Sequence, residues 1–200
     1  MFKSVPLVSS FLLCSLLGLS HQRITTGSCT TPQLQEKFDA QRYTGRWYEV
    51  RRDNGQFGEN DYDCENAIYT LNTDGTLHVK NSGFSLTNQT YFDVEGDATC
   101  VGPQCTVVFF NRPADYRVLY TDYDNFGIVY SCTDLEGLAK FEGVWVLSRT
   151  KTATDDQVNK VLSILSERVP EYNLEALLSP RQEGTCQYED YTPSSALFLQ

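Results

Sequence analysis

Seven cysteines, two histidines and one Asn-x-Thr triplet are the residues of this 200-residue chain whose types and spacing could do chemistry. The cysteines are Cys14, Cys29, Cys64, Cys100, Cys105, Cys132 and Cys186. None of their spacings is Cys-x-x-Cys, which argues against a zinc site or a thioredoxin-type redox pair. The histidines are poorly placed for acid–base work. His21 stands near the chain start, and His78 alternates with Leu77 and Val79, so it faces away from their apolar side. No Ser-His-Asp set and no metal cluster assembles from these residues, and the expectation is a protein without catalytic or metal residues. What remains is disulfide chemistry, which needs an oxidising compartment.

The chain start points to one. Lys3 precedes the uncharged apolar run Leu7–Leu19, and Gly18 and Ser20 place small residues at −3 and −1 before His21. That is the pattern of a secretory signal over residues 1–20. The run falls short of the ~20 apolar residues of a membrane span, and nothing else approaches that length. A secreted protein with no transmembrane segment is expected. Cleavage removes Lys3 and Cys14, taking the net charge from −10 to −11 and leaving six cysteines. Six suggest three disulfides, with 15 possible connectivities. In that compartment Asn88-Gln89-Thr90 is a glycosylation acceptor at Asn88. The excess of 26 acidic over 16 basic residues argues against nucleic acid or an anionic membrane as partner.

The elements that must position these residues are short apolar runs cut by turn formers. Gly45–Arg52, Cys64–Asn72, Thr76–Phe84, Gln89–Ala98, Gln104–Arg112, Asp115–Thr121, Asn125–Cys132 and Lys140–Arg149 read as eight strands. Asn72–Gly75, Gly102-Pro103, Asp122–Asn125 and Asp134–Gly137 supply turns between them. Alternation groups Ala67, Tyr69 and Leu71; Leu77, Val79 and Asn81; Phe92, Val94 and Gly96; Tyr116, Val118 and Tyr120; and Phe141, Gly143, Trp145 and Leu147. The runs from Gln104 and Asn125 are apolar on both faces, so their parity stays open. After them the period changes. Thr154 and Gln157 form a capping box, and Val158, Val161, Leu162, Leu165 and Val169 recur at helical spacing before Pro170. The predicted architecture is all-β: an eight-stranded antiparallel up-and-down barrel, with one C-terminal helix (about 154–169) packed outside. An N-terminal segment (21–44), a barrel domain (45–190) and a tail (191–200) complete the organisation.

Gly45-Arg46-Trp47-Tyr48 opens the first strand, Thr121-Asp122-Tyr123 sits in the turn between the sixth and seventh, and Arg149 closes the eighth. In this order, beside eight strands and a helix, the chain resembles the lipocalins. Gly-Arg-Trp-Tyr-Glu-Val, Thr-Asp-Tyr-Asp-Asn-Phe and Val-Tyr-Ser-Cys are similar to the apolipoprotein D group, near the bilin- and carotenoid-binding members. The resemblance implies that Trp47 plugs the closed barrel end under Arg149, and that Gly45, Trp47, Thr121, Asp122, Tyr123 and Arg149 are scaffold. It implies Cys29–Cys132 and Cys64–Cys186 disulfides; a Cys100–Cys105 bridge is expected by proximity alone. It also places Tyr69, Asn81, Tyr116 and Trp145 in a ligand pocket, and the alternation adds Leu71, Val79, Phe92, Val94, Val118 and Leu147 as apolar wall.

Such a wall suits a flat, mostly apolar molecule with a few polar atoms. The resemblance ranks biliverdin or a related linear pigment or carotenoid first, then a fatty acid or retinoid, then a steroid, with no cofactor required. Arg51 and Arg52 are adjacent, so one points inward unless a bulge intervenes. They read as two solvated charges at a strand end, with an inward arginine meeting a ligand carboxylate as the alternative. The loop Asp53–Asp63 would lie at the barrel mouth. The expected function is a secreted carrier of a small hydrophobic ligand, its cell-surface receptor or matrix partner left open. The rivals are an extracellular matrix protein with an acidic surface and, further off, a lipocalin-type isomerase, which would need a free pocket cysteine.

Overall fold

A computed structural model describes residues 24–55 and 59–191. The signal segment, His21 and residues 192–200 of the tail lie outside the described residues. Ten strands form one sheet: β1 Ile24–Thr26, β2 Gly45–Asp53, β3 Tyr62–Leu71, β4 Leu77–Ser85, β5 Thr90–Val101, β6 Gln104–Phe109, β7 Arg112–Thr121, β8 Phe126–Leu135, β9 Ala139–Ser148 and β10 Leu177–Leu178. The eight long strands β2 to β9 pair antiparallel in chain order, and β9 returns to pair with β2. That last pairing closes the barrel and removes the sheet edges. Short β1 pairs with β9 and β10 with β2. A single-turn helix α1 (Ala40–Tyr43) precedes β2, and α2 (Asp155–Arg168) follows β9.

The eight-strand and one-helix reading corresponds to β2–β9 and α2, with boundaries moved by a few residues. The largest shift is between β6 and β7. Phe110 and Asn111 both adopt positive φ (50° and 60°), a two-residue hairpin turn, so β6 ends at Phe109 and β7 starts at Arg112. The Thr154–Gln157 capping box is formed as its residue types predict, and it fixes the start of α2.

Two apolar clusters divide the strand residues by parity. Inside the barrel, Trp47, Tyr69, Val79, Val107, Val118 and Val129 pack with Tyr43 of α1. Outside it, Leu119, Ile128, Tyr130, Val144 and Val146 meet Val161 and Leu165 of α2. This settles the two open parities: Cys105 and Val107 of β6 face in, as does Val129 of β8, while Ile128 and Tyr130 face the helix. Alternation groups Tyr120 with Tyr116 and Val118, but it packs in the outer cluster. The cause is a register shift between Val118 and Tyr120 against β8, which reverses the alternation at the end of β7.

The disulfides Cys29–Cys132, Cys64–Cys186 and Cys100–Cys105 are all formed. The first two bridge 103 and 122 residues and tie both terminal segments to the barrel wall. The third staples the β5–β6 hairpin, where Cys100 and Cys105 are cross-strand partners. His78 lies outward beside Glu95 and Asp97. Asn88 is exposed in the β4–β5 turn. No helix among the described residues is long and apolar enough to cross a membrane.

Candidate functional site

The closed end of the barrel is built around Trp47, which is fully buried and donates its indole N–H to the Tyr43 carbonyl at 2.9 Å. The Arg149 guanidinium lies 3.6 Å above the indole centroid. It also donates to the carbonyls of Tyr123, Arg46 and Arg42 at 2.9, 2.9 and 3.1 Å. One side chain therefore stacks on the plug and ties three chain segments together. Asp122 accepts the N–H groups of Asp124, Asn125 and Phe126, which holds its carboxyl below the usual carboxylate range despite desolvation. Tyr123 takes φ 68°, accepts the Asp39 N–H and donates to the Lys37 carbonyl. Gly45 has φ 99°, where an L side chain is strained, and a Cβ there would stand 3.1 Å from the Arg149 guanidinium.

Above this plug lies a cavity of about 310 Å³. Tyr69, Val79, Asn81, Phe92, Tyr116, Trp145 and Leu147 from the expected wall line it. Leu71, Val94 and Val118 do not. Val118 is fully buried in the inner cluster, and Leu71 is partly buried against it, without reaching the open space. Val94 is half-buried opposite Asn81 without reaching the space. The alternation names the face of a strand, and it carries no information on how far up the barrel the filling stops.

The floor is a chain of three phenols. Tyr116 Oη stands 2.9 Å from Tyr43 Oη and 2.8 Å from Tyr69 Oη. Burial pushes Tyr69 up to about 12, and Tyr43 and Tyr116 well above the ordinary phenol value, so all three stay protonated. Three hydroxyl protons serve two internal links, which leaves one O–H to donate elsewhere. Tyr43 precedes the first barrel strand, on a four-residue helix capped by Asp39, and nothing in the strand pattern could have found it.

The mouth is different in kind. Glu49, Glu59 and Glu65 line the cavity there, with Asn66 and Ser82. Two bulges lie beside them. The β2–β9 register shifts between Glu49 and Arg51, and the β3–β4 register shifts between Asp63 and Asn66. Arg52, 2% exposed, donates to Glu49 at 3.0 Å, to Glu65, and to the Glu59 and Tyr62 carbonyls. The reading of Arg51 and Arg52 as two solvated charges is thus corrected: the bulge turns Arg52 inward, while Arg51 is half-buried and bonds the Val50 carbonyl. The alternative of an arginine open to a ligand carboxylate does not hold either, because Arg52 is enclosed by carboxyls and carbonyls and does not line the cavity. Glu59, from the β2–β3 loop, accepts the Trp145 indole N–H at 3.2 Å. Desolvation, then the nearby Glu59, pushes Glu49 up to about 8. Desolvation also raises Glu59, against the pull of Trp145 and Arg52. Glu49 stands two residues after Trp47 and Glu65 two before Ala67, each on the inward face of its strand, so their aim was legible; Glu59 depends on a loop path.

A plugged floor, an internal cavity and an external helix have counterparts among known proteins. The model of a lipocalin-like domain matches residues 38–182. Apolipoprotein D of Macaca fascicularis is 32% identical over 165 residues, covering 78% of this chain and 86% of that protein. The Cavia porcellus protein of the same name is 34% identical over 165 residues, with the same coverage. The crystal structure of insecticyanin from Manduca sexta superposes with a TM-score of 0.71 at 24% identity, covering 82% of this chain and 92% of that one. With the Trp47–Arg149 plug, the Thr121-Asp122-Tyr123 turn and a domain match across the whole barrel, this chain belongs to the lipocalin family.

Proposed function

We propose that this lipocalin binds and carries a small, mostly apolar molecule in its barrel, held against Trp145. One observation carries the reading: a cavity of about 310 Å³ stays open above the Trp47 plug, walled largely by Val79, Phe92, Val107, Phe109 and Leu147. Its size is at the lower end of small-molecule pockets, which favours a compact ligand over a long polyene held end to end. The faces of Tyr69 and Trp145 offer stacking surface, and the spare O–H of the phenol chain offers one oriented donor. Three disulfides support an oxidising compartment, in keeping with a secreted carrier. Asn88, exposed on a turn, is in position to carry a glycan.

The test is titration of biliverdin, retinoic acid, progesterone and arachidonic acid into delipidated protein, read on tryptophan emission. Trp47 is sealed at the closed end, so the response belongs to Trp145 and disappears in Trp145→Phe. Binding of at least one ligand at micromolar concentration is expected. Silence from all four, with no lipid extractable from the natural protein, would transfer the reading to an extracellular matrix role.

A further inference from the structure

We infer that the mouth of the cavity recognises a positively charged group, so that the carried molecule is an amphipathic amine in preference to a fatty carboxylate. The inference deepens the carrier reading and rests on it. Glu49, Glu59 and Glu65 all line the cavity, and among the described residues no Lys, Arg or His does. Among the described residues Arg52 is the cation in contact with them, and it is sealed behind them. Its Nη atoms are committed to Glu49, Glu65 and two carbonyls, and its Nε is buried with no partner. A ligand entering here therefore meets three carboxyls against one guanidinium it cannot reach.

The other groups packed around the cluster do not change that balance. Asp53, at the end of β2, adds a further acid and receives the Tyr172 O–H at 2.5 Å. Asp115 on β7, also in the cavity lining, is paired with Arg117. Trp145 contributes only its indole N–H, already given to Glu59. Ser82 adds an independent sign of a missing partner, since its buried hydroxyl oxygen beside the cavity has no hydrogen bond in the protein.

With Glu49 raised to about 8, the cluster holds a proton on that carboxyl near neutral pH. An alkylammonium group takes the place of that proton. The ammonium enters with its charge, Glu49 gives its proton to the solvent, and the ion pair forms between the N–H groups and the carboxylate. Binding an amine is therefore coupled to proton release, and binding a carboxylate is not. A fatty carboxylate meets instead an acid wall that disfavours its charge.

The experiment compares dodecylamine, dodecanol and dodecanoate, which share one chain and differ in the head group. Calorimetry near pH 7 at physiological salt, in two buffers of different ionisation enthalpy, reads affinity and protons released. Dodecylamine should bind about tenfold or more tightly than dodecanoate, and its affinity should rise by up to about tenfold per unit between pH 6 and 8. Glu49→Gln and, separately, Glu59→Gln should each lower amine affinity while leaving dodecanol nearly unchanged. Glu59 comes from a loop, so its variant tests the site even if Glu49→Gln fails to fold. Dodecanoate binding as tightly as the amine would overturn the inference and leave the carrier reading standing. So would an amine preference that survives both substitutions, since the amine would then sit on the acidic outer surface. If none of the three binds and the four-ligand titration is also silent, the carrier reading fails and takes this inference with it.

Discussion

Glu49 shows how one residue can connect stability to ligand chemistry. Its carboxyl is raised because burial and the neighbouring Glu59 outweigh the attraction of Arg52. A group raised in the fold contributes its full stabilisation below its unfolded value, near 4.5, and loses it as pH rises through the folded value, near 8. Glu49→Gln keeps the shape and cannot ionise. Its melting temperature should lie closest to the parent near pH 5 and exceed it near pH 9, by on the order of 4 kcal/mol in stability. Thermal melts of both proteins across that range check this. A parent that gains on the variant as pH rises would mean that the Arg52 pairing dominates. Asn88 is the other residue-scale case: protein from its natural source should lose mass on enzymatic removal of N-glycans, and Asn88→Gln should abolish that loss.

At the scale of elements, bulges and caps decide what the strands present. The alternation of β4 and β9 was legible because neither strand carries the extra residue of a bulge along the residues concerned, and Val79, Asn81, Trp145 and Leu147 reach the cavity as expected. β2 and β7 each carry a register shift, and there simple alternation fails, at Arg52 and at Tyr120. A bulge is a local backbone choice stabilised by distant pairing partners, so its position is weakly written in any one strand. The closed end is the opposite case, where motif residues meet each other. Arg149→Ala removes the guanidinium stack on Trp47 and three hydrogen bonds to carbonyls. A loss of about 2–3 kcal/mol is expected, or roughly 5–10 °C in melting temperature, with ligand affinities nearly unchanged. A large affinity loss at unchanged melting temperature would show that Arg149 acts on the cavity.

Over the whole molecule, the two long disulfides hold the terminal segments on a barrel that already closes through β2 and β9. In the chain-entropy model a bridge over 122 residues stabilises by about 5 kcal/mol and the five-residue Cys100–Cys105 bridge by about 2. Cys64→Ala with Cys186→Ala should therefore lower the denaturant midpoint about twice as much as Cys100→Ala with Cys105→Ala, at similar m-values. Equal losses would point to native-state contacts, such as the Gln182 amide donating to the Glu49 and Glu65 carbonyls, as the main tie of the C-terminal segment.

The sequence by itself determined the fold class, because hydrophobic period, turn chemistry, capping box and scaffold motifs are local signals that agree with one another. It determined part of the apolar wall for the same reason, Val79, Phe92 and Leu147, since a strand's facing follows from its own alternation. Only the tertiary structure decided the rest of the polar groups at the site. Tyr43 reaches the phenol chain from outside the barrel strands, Glu59 from a loop, and Arg52 through a bulge. Which charges are sealed and which face the cavity depends on chain paths meeting across the barrel, and separations along the chain do not record those distances.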